Sequence, residues 1–200
     1  MKSGETVLVT AAAGATGQVA VQLAKLAGNT VIGTCSSDKK CEYLTSIGCD
    51  RAVNYTTEDL YQVLKTEYPN GLDLVFESVG GSMFDTCVNN LAIKGRIVVI
   101  GAVSGYRDGS AWESKTKTPL NAKLLSKSAS IRGFFLQHYW KDAKAHISKL
   151  NQLIQNGKLR AGVDPTRFVS LEGVADALDR MYQRKNIGKL VVQLQPTSKI

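Results

Sequence analysis

The stretch Thr6-Val7-Leu8-Val9-Thr10-Ala11-Ala12-Ala13-Gly14-Ala15-Thr16-Gly17-Gln18 decides the architecture of this 200-residue chain. A short apolar run, a loop of small residues and the start of a helical pattern follow one another without a gap. The apolar run Thr6–Thr10 predicts a strand buried on both faces. A helix is predicted from about Gly14 to Ala27, with Val19, Leu23 and Leu26 on its apolar face. Between them lies a dinucleotide fingerprint in which Ala12 replaces the first glycine. Gly14 lets backbone approach a pyrophosphate, and Gly17 lets the helix pack close to the sheet. The free amides and partial positive charge at the helix start suit phosphate, and the Thr16 hydroxyl adds a further donor. Small residues also build ordinary strand–helix turns; the order strand, loop, helix inside a βαβ unit supplies the context that the fingerprint requires.

Outward from this unit the same rhythm continues. Strands are predicted at Thr30–Thr34, Ala52–Asn54, Leu72–Phe76 and Arg96–Gly101, separated by helices at Asp38–Ser46, Glu58–Thr66 and Gly81–Leu91. Alternation of this kind, with right-handed crossovers, predicts an α/β fold: a doubly wound parallel sheet of the Rossmann type. After Gly101 the rhythm stops. Residues 102–119 read as a long surface loop, followed by a helical turn at Leu120–Ser126 and a strand at Ser130–Phe135. A long helix is expected over His138–Asn156, then Arg167–Val169 extended, a helix from Leu171 to Arg184 and a strand Lys189–Leu194.

Composition narrows the classes. A 44% hydrophobic fraction and mean hydropathy of −0.09 suit a domain with a sizeable core, and no apolar run reaches the length of a membrane span. No secretory apolar region opens the chain. The four cysteines form no close C-x-x-C pair, which predicts buried thiols and neither a zinc knuckle nor a disulfide framework. The net charge is +8, yet basic residues are not interleaved with aromatics, which speaks against nucleic acid as a partner and for a polyanionic cofactor.

The end of the second strand bears on which cofactor. An NAD site wants an acidic residue there to hold the ribose 2′-hydroxyl. Here the segment is Thr34-Cys35-Ser36-Ser37-Asp38-Lys39-Lys40. Hydroxyls and lysines suit a 2′-phosphate, and Asp38 opens the next helix, where an acid complements the dipole. NADPH is the cofactor predicted. The alternative, that Ser36 or Ser37 is only a helix cap beside solvated lysines, uses the same residues.

Several ordered segments carry a family resemblance: Ala11–Gln18, Cys35–Lys40, Asn54-Tyr55, Glu77-Ser78-Val79-Gly80-Gly81, Lys94-Gly95-Arg96, Gly133-Phe134-Phe135-Leu136 and Lys185-Asn186-Ile187-Gly188-Lys189. Together they resemble the quinone-oxidoreductase-like, zinc-independent medium-chain dehydrogenases/reductases over essentially the whole chain. That resemblance implies hydride transfer from NADPH to a C=C bond conjugated to a carbonyl, with an alkenal or 15-oxo-prostaglandin type of small-molecule substrate. Quinone reduction is the alternative within the superfamily. It also implies that Thr16 holds the pyrophosphate, that Ser36, Lys40 and Tyr55 surround the 2′-phosphate, and that Ser78, Ile100 and Tyr106 line the cofactor at later strand ends. Phe134, Phe135 and Leu136 would border the nicotinamide, and Asn186 would reach it or its ribose. No residue is assigned as proton donor, and no metal is expected, since His138 and His146 lack the spacing of paired ligands.

Members of that family carry a GroES-like domain ahead of the dinucleotide domain. The resemblance therefore divides the chain into a dinucleotide-binding domain, 1–160, and a return segment, 161–200, that would pack on a GroES-like domain missing here, leaving its apolar face orphaned. A homodimer through the edge strand Ser130–Phe134 is a further implication. The terminal Ser198-Lys199-Ile200 resembles the peroxisomal address Ser-Lys-Leu, with Ile in place of Leu, and predicts that location; the alternative is a frayed polar terminus and a cytoplasmic protein. Two other readings compete. Tyr61-x-x-x-Lys65 has short-chain dehydrogenase spacing, but falls on the third helix, too early for that site. A non-catalytic NADP- or RNA-binding module fits the charge.

Overall fold

Alternating apolar runs and amphipathic helices give the chain its layers. The structure, a computed structural model, describes residues 1–112 and 117–194. Strands β1 (Thr6–Val9), β2 (Thr30–Cys35), β3 (Arg51–Asn54), β4 (Leu72–Glu77), β5 (Leu91–Val99) and β6 (Ser130–Gly133) form one sheet in the order β3-β2-β1-β4-β5-β6. Every pairing in it is parallel. The expected doubly wound sheet is therefore the fold, and its strand order places the topological switch between β1 and β4.

Helices α1 (Gly17–Leu26), α2 (Asp38–Ser46), α3 (Leu60–Glu67) and α4 (Gly81–Asn89) cover both faces. One core layer joins Val7, Val9, Val21, Ala24, Val31 and Leu44; the other joins Leu8, Ile32, Leu60, Leu64, Val75 and Ile97. Consecutive residues Val7 and Leu8 thus serve opposite layers, as the period of two in a strand requires. Cys35, Cys49 and Cys87 are buried and Cys41 half-buried, all as free thiols.

Several sequence expectations change in detail. Helix α1 begins at Gly17, three residues later than predicted, and its buried face is Gly17, Gln18, Val21, Gln22 and Ala24, while Leu26 is exposed. Gly17 sets this rotation: a Cβ there would lie 2.5 Å from the Ala11 carbonyl oxygen, so Gly17 must face the loop and the 3.6 period then selects Val21 and Ala24. Strand β5 starts at Leu91 and carries an irregularity around Lys94, whose φ is +63°, before the predicted stretch resumes at Arg96. The predicted strand over 130–135 ends at Gly133, because Leu136–Asp142 turns into a 3-10 helix. That same 3-10 segment shortens the helix predicted over 138–156 to α6 (Ala143–Gln155).

Beyond β5 come 3-10 turns at Val103–Gly105 and Ser110–Trp112, then α5 (Leu120–Lys127), which ends at left-handed Ser128. The tail forms β7 (Phe168–Val169), α7 (Glu172–Tyr182) and β8 (Val192–Gln193), with β7 and β8 pairing in parallel. The predicted strand 189–194 contributes only two residues to that pair, since Lys189 makes an isolated bridge to Val163. Val163, Leu171, Leu178, Val191 and Leu194 are exposed apolar side chains of this tail. The Ser198–Ile200 tripeptide lies outside the described residues. Among the described residues no helix is long and apolar enough to cross a membrane.

Candidate functional site

The C-terminal ends of the parallel strands lie in one row, because the register pairs Val9 with Gly33 and Phe76, Cys35 with Asn54, and Glu77 with Val99, which in turn pairs with Gly133. Ser36, Tyr55, Ser78, Ile100 and Phe134 each follow directly on a strand end and so fall along this row. At the switch point β1 and β4 are tied together by Thr10 and Ser78. The Ser78 amide donates to Thr10 Oγ1 at 2.9 Å, and the Thr10 amide donates to the Phe76 carbonyl at 3.0 Å. Beneath them Glu77 is fully buried. Its Oε1 accepts from the Val79 and Gly80 amides at 2.8 and 2.9 Å, while among the described residues Oε2 has no hydrogen-bond partner. Burial raises its carboxyl above the usual range, opposed by those two amides.

The loop leaving β1 turns at Ala11, whose φ is +47°, and the Ala12 amide donates to the Thr34 carbonyl. Among the described residues the amides of Ala15, Thr16 and Gly17 donate to no backbone carbonyl, so three N–H groups point out of the start of α1. Thr16 is the N-cap residue, yet its hydroxyl makes no capping bond. A Cβ on Gly14 would meet only the Ala11 oxygen, at 3.2 Å. This concave set of amides with a free hydroxyl is an anion-binding geometry.

The C-terminal segment comes back onto that loop. The Gly188 amide donates to the Ala13 carbonyl at 2.8 Å, and Gly14 bridges Gly188. The Asn186 side chain donates to the Gly188 carbonyl, which places Asn186 beside the phosphate loop. Gly188 has φ +80° and leaves no room for a side chain against Gly162.

At the end of β2, Lys40 is buried with its ammonium donating to the Arg184 carbonyl at 2.7 Å and to Ser36 Oγ at 3.2 Å. Among the described residues it forms no ion pair, and burial lowers its pKa. A buried ammonium held only by neutral oxygens is an electrostatic vacancy suited to an anion. The Arg184 guanidinium lies 5.9 Å from the centre of the Tyr55 ring. Ser36, Lys40, Asp164, Arg180 and Arg184 line one open groove of about 1060 Å³. Ser37 occupies the N-cap position of α2 without a side-chain cap bond. Asp38 accepts from Asn54 Nδ2 at 2.8 Å, so this acid is engaged by β3.

Farther along the row, the Ile100 amide donates to the Glu77 carbonyl, and the Tyr106 hydroxyl accepts from the Ala102 amide. The Phe134 amide donates to the Val99 carbonyl, and its ring stacks on Tyr139 with centroids 4.7 Å apart. Phe135 meets His138 edge to face, and Phe135 and Leu136 are more than half exposed. The predicted residues thus form three groups: Gly14, Thr16, Gly17 and Asn186 at the loop; Ser36 and Lys40 in the groove, with Tyr55 against its Arg184; Ser78, Ile100, Tyr106 and Phe134–Leu136 toward the other edge. Thr10 and Glu77, buried beneath this row, and Arg184 in the groove were not named as site residues from the sequence. Arg184 directly precedes the Lys185–Lys189 run, which was the available signal. Tyr61 and Lys65, by contrast, are a side-chain pair on α3, with the ammonium 6.0 Å from the ring centre.

Comparison with known proteins agrees with this geometry. A family model described as zinc-binding dehydrogenase matches residues 15–155. Prostaglandin reductase-3 of Mus musculus is 53% identical over 200 residues, covering 97% of this chain and 53% of that protein. The 2-alkenal reductase (NADP(+)-dependent) of Nicotiana tabacum is 36% identical, covering 96% and 55%. CurA of Vibrio vulnificus, solved in complex with NADPH, superposes with a TM-score of 0.86 at 30% identity, covering 98% of this chain and 58% of that one. The chain spans about half the length of the curated relatives it matches. Among the described residues no three His, Cys, Asp or Glu side chains converge as a metal site. On the match over 15–155 and the switch-point sheet, the chain belongs to the zinc-binding dehydrogenase family and, within it, to the zinc-independent quinone- and alkenal-reductase-like members.

Proposed function

We propose that this chain is the cofactor-binding part of an NADPH-dependent reductase acting on the C=C bond of α,β-unsaturated carbonyls. The observation that carries the reading is the buried Lys40 ammonium beside Ser36, in no ion pair among the described residues, at the strand end where an NAD site would place an acid. The three free amides at the start of α1 and the Thr16 hydroxyl would hold the pyrophosphate. Lys40, Ser36 and the Arg184–Tyr55 pair would hold the 2′-phosphate and the adenosine. Ser78, Ile100 and Tyr106 would line the cofactor's path, and Phe134, Phe135 and Leu136 would wall off water at its far end. When bound, NADPH supplies the hydride; the chain's own residues position it and exclude solvent. The names of the relatives, prostaglandin and alkenal reductases, support the substrate class.

Fluorescence titration with NADPH and with NADH, followed by alkenal and quinone reduction assays, tests the reading. Tight, NADPH-selective binding is expected, with slow alkenal turnover from this chain alone. Equal affinity for both cofactors defeats the NADPH assignment, and reduction of quinones but not alkenals moves the substrate class. A dimer through the outer edge of β6 is part of the proposal; a monomer at every concentration in sedimentation would remove it.

A further inference from the structure

Two thiols flank the groove that the proposed function uses for the 2′-phosphate. Cys35 is the last residue of β2 and Cys41 lies in the first turn of α2, so Ser36 and Lys40 are their immediate neighbours. The two sulfur atoms are 3.2 Å apart, and Cys35 Sγ also reaches the Ser37 carbonyl at 3.5 Å. A disulfide needs about 2.05 Å between sulfurs, so a small shift of one side chain closes the gap. Cys49 and Cys87 are buried with neither sulfur paired to another thiol.

We propose that Cys35 and Cys41 are an oxidisable dithiol whose disulfide clamps the first turn of α2 onto the end of β2 and spoils the Ser36–Lys40 anion grip. The oxidant is a hydroperoxide. One thiol sulfur attacks the peroxide oxygen, the O–O bond breaks, and the alkoxide or hydroxide leaves as alcohol or water with the thiol proton. The resulting sulfenic sulfur is attacked by the second thiol; an S–S bond forms and the hydroxyl departs as water. Two thiols are oxidised by two electrons and one hydroperoxide is reduced. The effect on cofactor rests on the NADPH reading above; the chemistry of the thiols does not.

The reaction has a built-in brake. Burial, the Cys35 sulfur and the Asp38 and Glu58 carboxylates push the Cys41 thiol up to about 12. Since the thiolate is the nucleophile, oxidation is slow at neutral pH and quickens as pH rises. NADPH held as proposed would lie over Ser36 and Lys40 and so would shield the pair, and by reciprocity the disulfide would weaken NADPH binding.

The test treats the whole chain with hydrogen peroxide, then digests it with trypsin without reduction. Trypsin cuts at Lys39 and Lys40 between the two cysteines, and a following chymotrypsin cut at Tyr43 or Leu44 separates Cys41 from Cys49, so a Cys35–Cys41 disulfide appears as a linked peptide pair of its own. Expected are that pair in a monomeric species, two remaining alkylatable thiols of the four, reversal by dithiothreitol, and NADPH affinity lower by roughly tenfold, the scale of one charge-assisted hydrogen bond. Cys41→Ser should show neither change while melting normally. Four thiols surviving, a different pairing, or a disulfide that leaves NADPH affinity unchanged each overturns the proposal. If the reduced chain binds no NADPH, the functional reading fails separately, and the dithiol is judged by the linked peptides and by slowed hydrogen exchange over residues 36–41.

Discussion

The side-chain amide of Gln18 pairs with both peptide groups of Gly162: Nε2 donates to the carbonyl and Oε1 accepts from the amide, each at 2.8 Å. Gln22, one turn later, does the same to Arg160, at 2.9 and 2.8 Å. Two glutamines on one helix face thus act as a short β-ladder for a segment about 140 residues downstream. The Tyr43 hydroxyl donates to the same Gln18 oxygen, binding α2 into the arrangement. The clipped segment in turn accepts from the Lys189 amide through the Gly162 carbonyl, next to the Gly188 amide that bonds Ala13 in the loop.

Gln18→Ala removes two peptide partners in a buried setting. A loss of about 2–3 kcal/mol in urea unfolding is expected, two hydrogen bonds plus the cost of unpaired groups. A change no larger than that of an exposed substitution such as Lys39→Ala would refute the clip.

Gly17 and Gly14 should separate structure from binding. A Cβ at Gly17 would sit 2.5–2.8 Å from Ala11 and Ala12 backbone atoms, so Gly17→Ala forces the helix off the loop, at a cost of about 3 kcal/mol. Gly14→Ala meets one oxygen at 3.2 Å and should cost under about 1 kcal/mol, yet put a methyl in the phosphate's path. Melting curves and NADPH titrations of both variants check this; equal stability losses would show that Gly14 is a packing residue instead.

Lys40→Met keeps the buried stem and removes the charge. NADPH affinity should fall roughly ten- to a hundredfold, the range for a lost charge-assisted contact, while NADH affinity holds steady. Parallel losses for the two cofactors would place the Lys40 ammonium away from the 2′-phosphate.

Glu77 predicts a pH dependence. Its folded pKa lies above the unfolded value because burial outweighs the two amide donors. Between those two values the folded state holds more protons, so this residue's contribution is greatest below the unfolded pKa and is lost as pH rises through the folded one. Unfolding free energies of the parent chain minus those of Glu77→Gln, measured from pH 4 to 8, should decline with pH. A difference that rises with pH would mean the carboxylate is stabilised in its charged form.

The strand–loop–helix order around Gly14, the apolar strands and the serine–lysine segment after β2 are local patterns: they made the parallel sheet legible from sequence alone and marked where phosphate binding is expected. Periodicity reports how a helix is amphipathic, but not which neighbour it meets, so Val19, Leu23 and Leu26 looked like the core face of α1. Contact with the Ala11–Ala12 backbone turned Gly17, Val21 and Ala24 inward instead. Asn186 illustrates the same limit: a turn-like residue in sequence, it is carried to the phosphate loop by the Gly188–Ala13 bond. Arg184 joins Lys40, and Gln18 joins Gly162, across more than 140 residues. Such pairings leave no local signature, because their partners are ordinary glutamines, glycines and arginines until the packed sheet brings them together. Secondary structure and the phosphate loop were determined along the chain; the assembled site was decided by the long-range contacts of the folded state.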